Sequence, residues 1–179
     1  MTTTYPDAPG LKELILGQEK DEDIGGYATV ELISPGPNGP HVTSRAQVAV
    51  RSKGHNLIVN SGKIQLWRLA MGLQPNIFDQ FRIGTDATPA NSGDTNAGTP
   101  VAGTLETADD MTMVAGRTAQ WIKSYPSGGG SISAANIQEV VILNSNTSPG
   151  GDCMMRALFP PVSKTTADKL KITYQSRVA

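Results

Sequence analysis

A chain of 179 residues and 18.9 kDa with 38% apolar residues has the size and hydrophobic content for one core and no room for a second full domain. Sixteen acidic against fifteen basic residues leave a formal net charge of −1, too weak a field to gather nucleic acid or an anionic membrane surface. The single cysteine, Cys153, excludes an intrachain disulfide and a cysteine-rich metal site and fits synthesis in a reducing cytoplasm.

In chain order, residues 1–26 read as an extended N-terminal arm. MTTTYPDAPG lacks the positive start and apolar run of a secretion signal. A short amphipathic piece, Leu11, Leu14 and Ile15, precedes the charged run QEKDEDIGG, which cannot fold by itself. Residues 27–179 read as one β domain. YATVELI puts Ala28, Val30 and Leu32 on one face, and RAQVAVR does the same with Ala46, Val48 and Val50, predicting an antiparallel pair. Between them, PGPNGPHVTS supplies turn chemistry. A helix follows, with Asn60 or Ser61 as its cap, Ile64, Trp67 and Met71 as its apolar stripe, Ser61, Gln65 and Arg68 as its polar stripe, and Gly72 and Pro75 as its end. The expectation is that Trp67 packs over a sheet. Further strands are predicted at 77–83, 111–114, 117–125, 137–143, 152–159 and 168–178, the last with Leu170, Ile172, Tyr174 and Val178 opposite Lys169, Lys171 and Arg177. Many short strands, heavy turn punctuation and one helix predict a mainly β fold, an antiparallel β-sandwich or jelly-roll-like domain.

Residues 82–104, RIGTDATPANSGDTNAGTPVAGT, form a long loop of small residues. Its glycines are too widely spaced for a dinucleotide turn, and no lysine lies between them. Asp86 and Asp94 lack the alternate-position crowding of a calcium loop and read as turn aspartates. HNLIVNSGKI copies the strand–Gly-Lys–helix context of a phosphate loop, but Leu57 and Ile64 stand where that motif needs a glycine and a hydroxyl. His41 and His55 have no nucleophile motif beside them, and Asp109 and Asp110 point to opposite faces of a strand. Cys153 reads as a buried hydrophobe sharing a face with Met155, Ala157 and Phe159. Lys169, Lys171 and Arg177 read as a solvated sheet face or a guarded edge. No catalytic, cofactor or metal residues are assigned, and the chain is not read as an enzyme.

The order NLIVNSGK, FRIGTDATPAN, TLETADD, IQEVVILN and CMMRALFPPVSKTTADKLKITYQ, across residues 27–178, resembles a recurring pattern in tailed-phage virion structural proteins. Asp86 stands where that pattern has a second glycine, and Glu139-Val140-Val141-Ile142 where it has EVGL. The resemblance implies a β-rich capsid cement or decoration protein that stabilises a phage capsid by bridging neighbouring major capsid subunits. It implies a homotrimer on the virion surface, made in the host cytoplasm, with the major capsid protein and itself as partners and no cofactor, nucleic acid or membrane. The alternative is a tail or tail-fibre component, such as a receptor-binding module. On the first reading the arm and residues 85–104 lie across neighbouring subunits, with Leu11, Leu14, Ile15, Thr88, Pro89, Asn91, Asn96 and Pro100 as contact residues.

Overall fold

Alternating apolar residues draw the chain into strands wherever one face can be buried. A computed structural model describes residues 24–49, 56–73, 77–116, 118–129, 131–145 and 151–178. Its strands are β1 (Ile24–Ser34), β2 (His41–Ala49), β3 (Asn56–Ile58), β4 (Gln80–Gly84), β5 (Glu106–Thr107), β6 (Asp110–Ala115), β7 (Thr118–Tyr125), β8 (Ala134–Leu143), β9 (Cys153–Lys164) and β10 (Lys169–Val178). Among the described residues there is one helix, α1 (Asn60–Ala70), between β3 and β4. Two antiparallel five-stranded sheets, ordered β2-β1-β10-β7-β6 and β3-β9-β8-β4-β5, form a β-sandwich. β1 begins at Ile24, inside the stretch read as arm, and β2 begins at His41, inside the stretch read as turn.

The main core lies between the sheets. Ala28 and Val30 of β1 and Leu170, Ile172 and Tyr174 of β10 meet Phe81 and Ile83 of β4, Val140 and Ile142 of β8, and Met155, Ala157 and Phe159 of β9. Trp121 of β7 stacks at a tilt on Tyr174, with ring centroids 5.8 Å apart, and donates its indole N–H to the Phe78 carbonyl at 2.8 Å. Its apolar body thus fills the core while its polar tip ties one sheet to the other. The alternation in β10 is as expected, but β10 lies between β1 and β7, so Lys169 and Lys171 do not guard an edge. They lie on the outward face, where Lys171 is in register with Glu31. Among the described residues the edges of that sheet are β2 and β6.

Cys153 departs from its expected face. The β8–β9 register passes from Ile142↔Met155 to Leu143↔Cys153, so Met154 is an extra residue on β9. That bulge turns Cys153 away from Met155 and onto the outer face of the sheet, where it packs with Val59, Ala97, Val141 and Leu143. Its burial agrees with the sequence reading; its neighbours do not.

The orientation of α1 is the larger correction. Ile64, Trp67 and Met71 face outward, with 59%, 74% and 68% of their surface exposed. Gly62 and Gln65 are buried, and Leu66 and Leu69 pack on the core. The cause is Gly62, whose missing side chain lets the first turn rest on the Met154 backbone; a Cβ there would run into the Met154 carbonyl. Gln65, read as part of a polar stripe, donates instead to Asp152 at 2.7 Å beneath the helix. Nor does a side chain cap α1: its N-cap position is Val59, and the Ser61 hydroxyl donates to the Cys153 carbonyl at 3.0 Å. Gly72, at φ +70°, ends the helix as expected. Gly62→Ala gains roughly 1 kcal/mol of helix propensity but forces two backbones apart. We expect a net destabilisation of about 1–3 kcal/mol by urea denaturation.

Candidate interaction surface

Val140-Val141-Ile142-Leu143 is buried on both faces of β8, so the outer face of that sheet needs a roof. The long loop supplies it. Ala97 lies over Val141, Leu143 and Cys153, with Leu105 beside them. A chain so poor in apolar groups cannot hold itself there by burial alone, and the fixing is electrostatic. Arg156, 3% exposed, projects from the outer face of β9. Its Nε meets Glu139 at 2.8 Å, and its two terminal nitrogens meet Asp94 and Asp86, each at 3.0 Å. Glu139 is itself fully buried and accepts the backbone N–H groups of Asp86, Gly98 and Thr99 at 3.0–3.2 Å. Both oxygens of Glu139 and all three guanidinium nitrogens are occupied, which is the condition for a buried ion pair to be tolerated.

Backbone bonds close the same loop. Thr85 and Val101 donate to Thr99 and Ile83, and an isolated bridge joins Gly84 to Pro100. Asn60, the first residue of α1, donates to the Ser92 carbonyl at 2.8 Å, seating the loop tip against the helix start. The loop expected to reach outward is therefore folded onto its own sheet. Asp86 and Asp94, expected to be solvated, are both taken by Arg156. Among the described residues no group of three or more His, Cys, Asp or Glu is placed to hold a metal ion.

Titration follows the same contacts. The backbone and hydroxyl of Thr88, then Arg156, hold Asp86 below the usual carboxylate range. Burial alone would lower the Arg156 pKa, but hydrogen bonds to Asp94 and Glu139 outweigh it and raise the value. Burial pushes the Cys153 thiol up to about 12, leaving it protonated at neutral pH. At the far end of the molecule, Ser34 and Thr165 hold Asp168 below its ordinary value by hydrogen bonds of 2.6–2.9 Å, fastening the β9–β10 turn to the end of β1. A third cluster sits where β5 passes to β6: Lys123 of β7 pairs with Glu106 at 2.7 Å and Asp109 at 3.0 Å. Each cluster is closed on itself and joins elements of the fold.

Of the contact residues expected from sequence, Leu11, Leu14 and Ile15 lie outside the described residues, as does His55. Thr88, Pro89 and Asn91 are exposed along the loop crown. Thr88 and Asn91 already serve the loop, Thr88 by donating to Asp86 and Asn91 by accepting from Gly93. Asn96 is half-buried and accepts from Arg82 at 3.2 Å, and Pro100 is exposed at the bridge to Gly84. Two apolar surfaces were not foreseen. One is the outward face of α1 with Leu73 and Ile77 just beyond it. The other is β6, where every residue from Asp110 to Val114 is exposed, including Met111, Met113 and Val114.

Replacing Arg156 with Met leaves the buried Glu139 without its ion-pair partner. We expect a loss of about 3–5 kcal/mol by chemical denaturation, with amide exchange rising first at Gly98 and Thr99. Asp86 and Asp168 keep their charge to lower pH in the folded chain than in the unfolded one, so acid drives protons preferentially into the unfolded chain. Their contribution is intact at neutral pH and drains away as pH falls below about 4. Asp168→Asn is therefore expected to lower the urea midpoint at pH 7, with the gap to the parent narrowing in acid. Comparison of the chain with protein-family models, with curated proteins and with solved structures finds no match.

Proposed function

We propose that this chain is a structural subunit of a phage virion that reinforces the capsid by binding neighbouring major capsid subunits, acting as a homotrimer. The observation that carries the assembly reading is β6. An edge strand exposed on both faces and carrying Met111, Met113 and Val114 is a template for pairing with another chain. Water-facing edges normally carry charge, as at β2, where Arg45 pairs with Glu31 at 3.3 Å. β6 has acidic Asp110 at its start and then none. A neighbouring strand laid along it would gain main-chain hydrogen bonds, and the two methionines would adapt to its side chains. The virion context comes from the sequence resemblance.

The body suits such work. The clusters at Arg156, Lys123 and Asp168 hold its loops and seams in place, so docking requires little ordering of the subunit itself. The exposed crown at Thr88, Pro89 and Asn91 presents a second, polar contact on the same rigid piece.

Met113→Lys places a charge in the proposed contact without touching the core. The expected result is at least a tenfold loss in co-sedimentation with empty phage shells, about 1.4 kcal/mol or more, with the thermal midpoint unchanged. Undiminished binding of a folded Met113→Lys chain rejects β6 as the contact. Shells that rupture at the same temperature with and without the bound protein reject the reinforcing role.

A further inference from the structure

We propose that in the chain free of a shell β6 is closed by β6 of a second copy, the two strands running antiparallel about a twofold axis at Thr112. The inference rests on the reading of β6 as a pairing edge and gives that edge its occupant before a shell is met. The threefold assembly then forms on the shell, where one partner strand is exchanged for another. β6 ends its sheet, every residue from Asp110 to Val114 is exposed, and three of them are apolar. Such an edge draws in another strand unless something blocks it.

The faces of the sheet select which strand. Met111 is in register with Trp121 and Met113 with Ala119, so both methionines lie on the side that Trp121 turns toward the core. Asp110 and Thr112, in register with Ile122 and Gln120, lie on the solvent side. A twofold axis perpendicular to the sheet reverses strand direction and keeps the faces. It therefore joins β6 to β6 with core side beside core side, and two sheets of five strands become one of ten. Laying β6 antiparallel on β2 of another copy instead puts the core side of one sheet in line with the solvent side of the other. β2 is also irregular against β1 and carries Arg45. The short edges of the second sheet, β3 and β5, have three and two residues and cannot match Asp110–Val114.

The side chains agree. With the axis at Thr112, that threonine meets its own copy and Met111 lies opposite the partner's Met113, both pairings that suit neighbouring strands. Asp110 is the one ionisable residue of β6. In the antiparallel pair it faces the partner's Val114, and the two carboxylates stand roughly 14 Å apart, beyond the screening length of about 8 Å at physiological salt. A parallel pair sets them side by side, which is unfavourable. The register of β6 on β7 shifts between Met113 and Ala115, so regular pairing is confined to a few residues around Thr112. A contact that short is marginal by itself and open to exchange.

Sedimentation equilibrium of the full-length protein without shells tests the pair. The expected mass is twice 18.9 kDa, falling to one chain on dilution. Met113→Lys is expected to raise the dissociation constant at least about tenfold, with the body still folded by circular dichroism. Thr112→Cys under mild oxidation links two copies and Asp110→Cys does not; the buried Cys153 takes no part. A monomer at every concentration, or a trimer, overturns the proposal. So does a dimer that survives Met113→Lys and is dissolved by Trp67→Ser, which puts the contact on α1, and so does a Thr112→Cys chain that fails to link. Shell binding is scored separately. A monomer whose shell binding is still lost in Met113→Lys overturns self-pairing and leaves the shell contact standing. A dimer dissolved by Met113→Lys with undiminished shell binding upholds self-pairing and rejects β6 as the shell contact.

Discussion

The ion pair between Arg156 and Glu139 is the constraint on which the outer half of this molecule depends. Neither charge can be buried alone; together, with every remaining hydrogen-bonding position filled, they form a polar post beneath an otherwise apolar roof. The loop needs that post because its Thr, Ala, Gly, Asn and Pro residues offer little surface to bury. In exchange, the loop's amides complete the coordination of Glu139, which the strands by themselves leave unfinished. Roof and post are mutually dependent, so the segment folds as part of the sheet it covers.

The same interdependence explains the second apolar layer. Val59, Ala97, Val141, Leu143 and Cys153 form a cluster too small to persist by itself. It persists because the bulge at Met154 turns Cys153 into it and because the Met154 carbonyl accepts the Val59 amide at 3.1 Å. One additional residue in β9 therefore sets the position of Cys153 and, through Gly62, how closely the helix approaches.

Much of this architecture was legible in the sequence. Period-two alternation located β1, β2, β7 and β10, and the Val140–Leu143 run carried further information: a strand with one wet face alternates, so an unbroken apolar run states that both faces are covered. What covers it was not legible, because the partners of Arg156 come from distant parts of the chain and meet only once the strand register is set. The orientation of α1 was misread for a different reason. Ile64, Trp67 and Met71 are as periodic as Gly62, Leu66 and Leu69, and periodicity identifies a stripe without saying which way it faces; the glycine, a mark of close backbone approach, was the better signal. The strand at 111–114 was legible but its exposure was not, because Met and Val in a strand are the ordinary signature of a core.

Cys153 gives the molecule a built-in recorder. Its sulfur lies sealed under the loop, donates to the Met155 carbonyl at 3.3 Å, and holds its proton until about pH 12. A thiol reagent can reach it only when the roof lifts, so the labelling rate in dilute base measures how often the loop detaches. With no other sulfhydryl in the chain, that clock runs without interference.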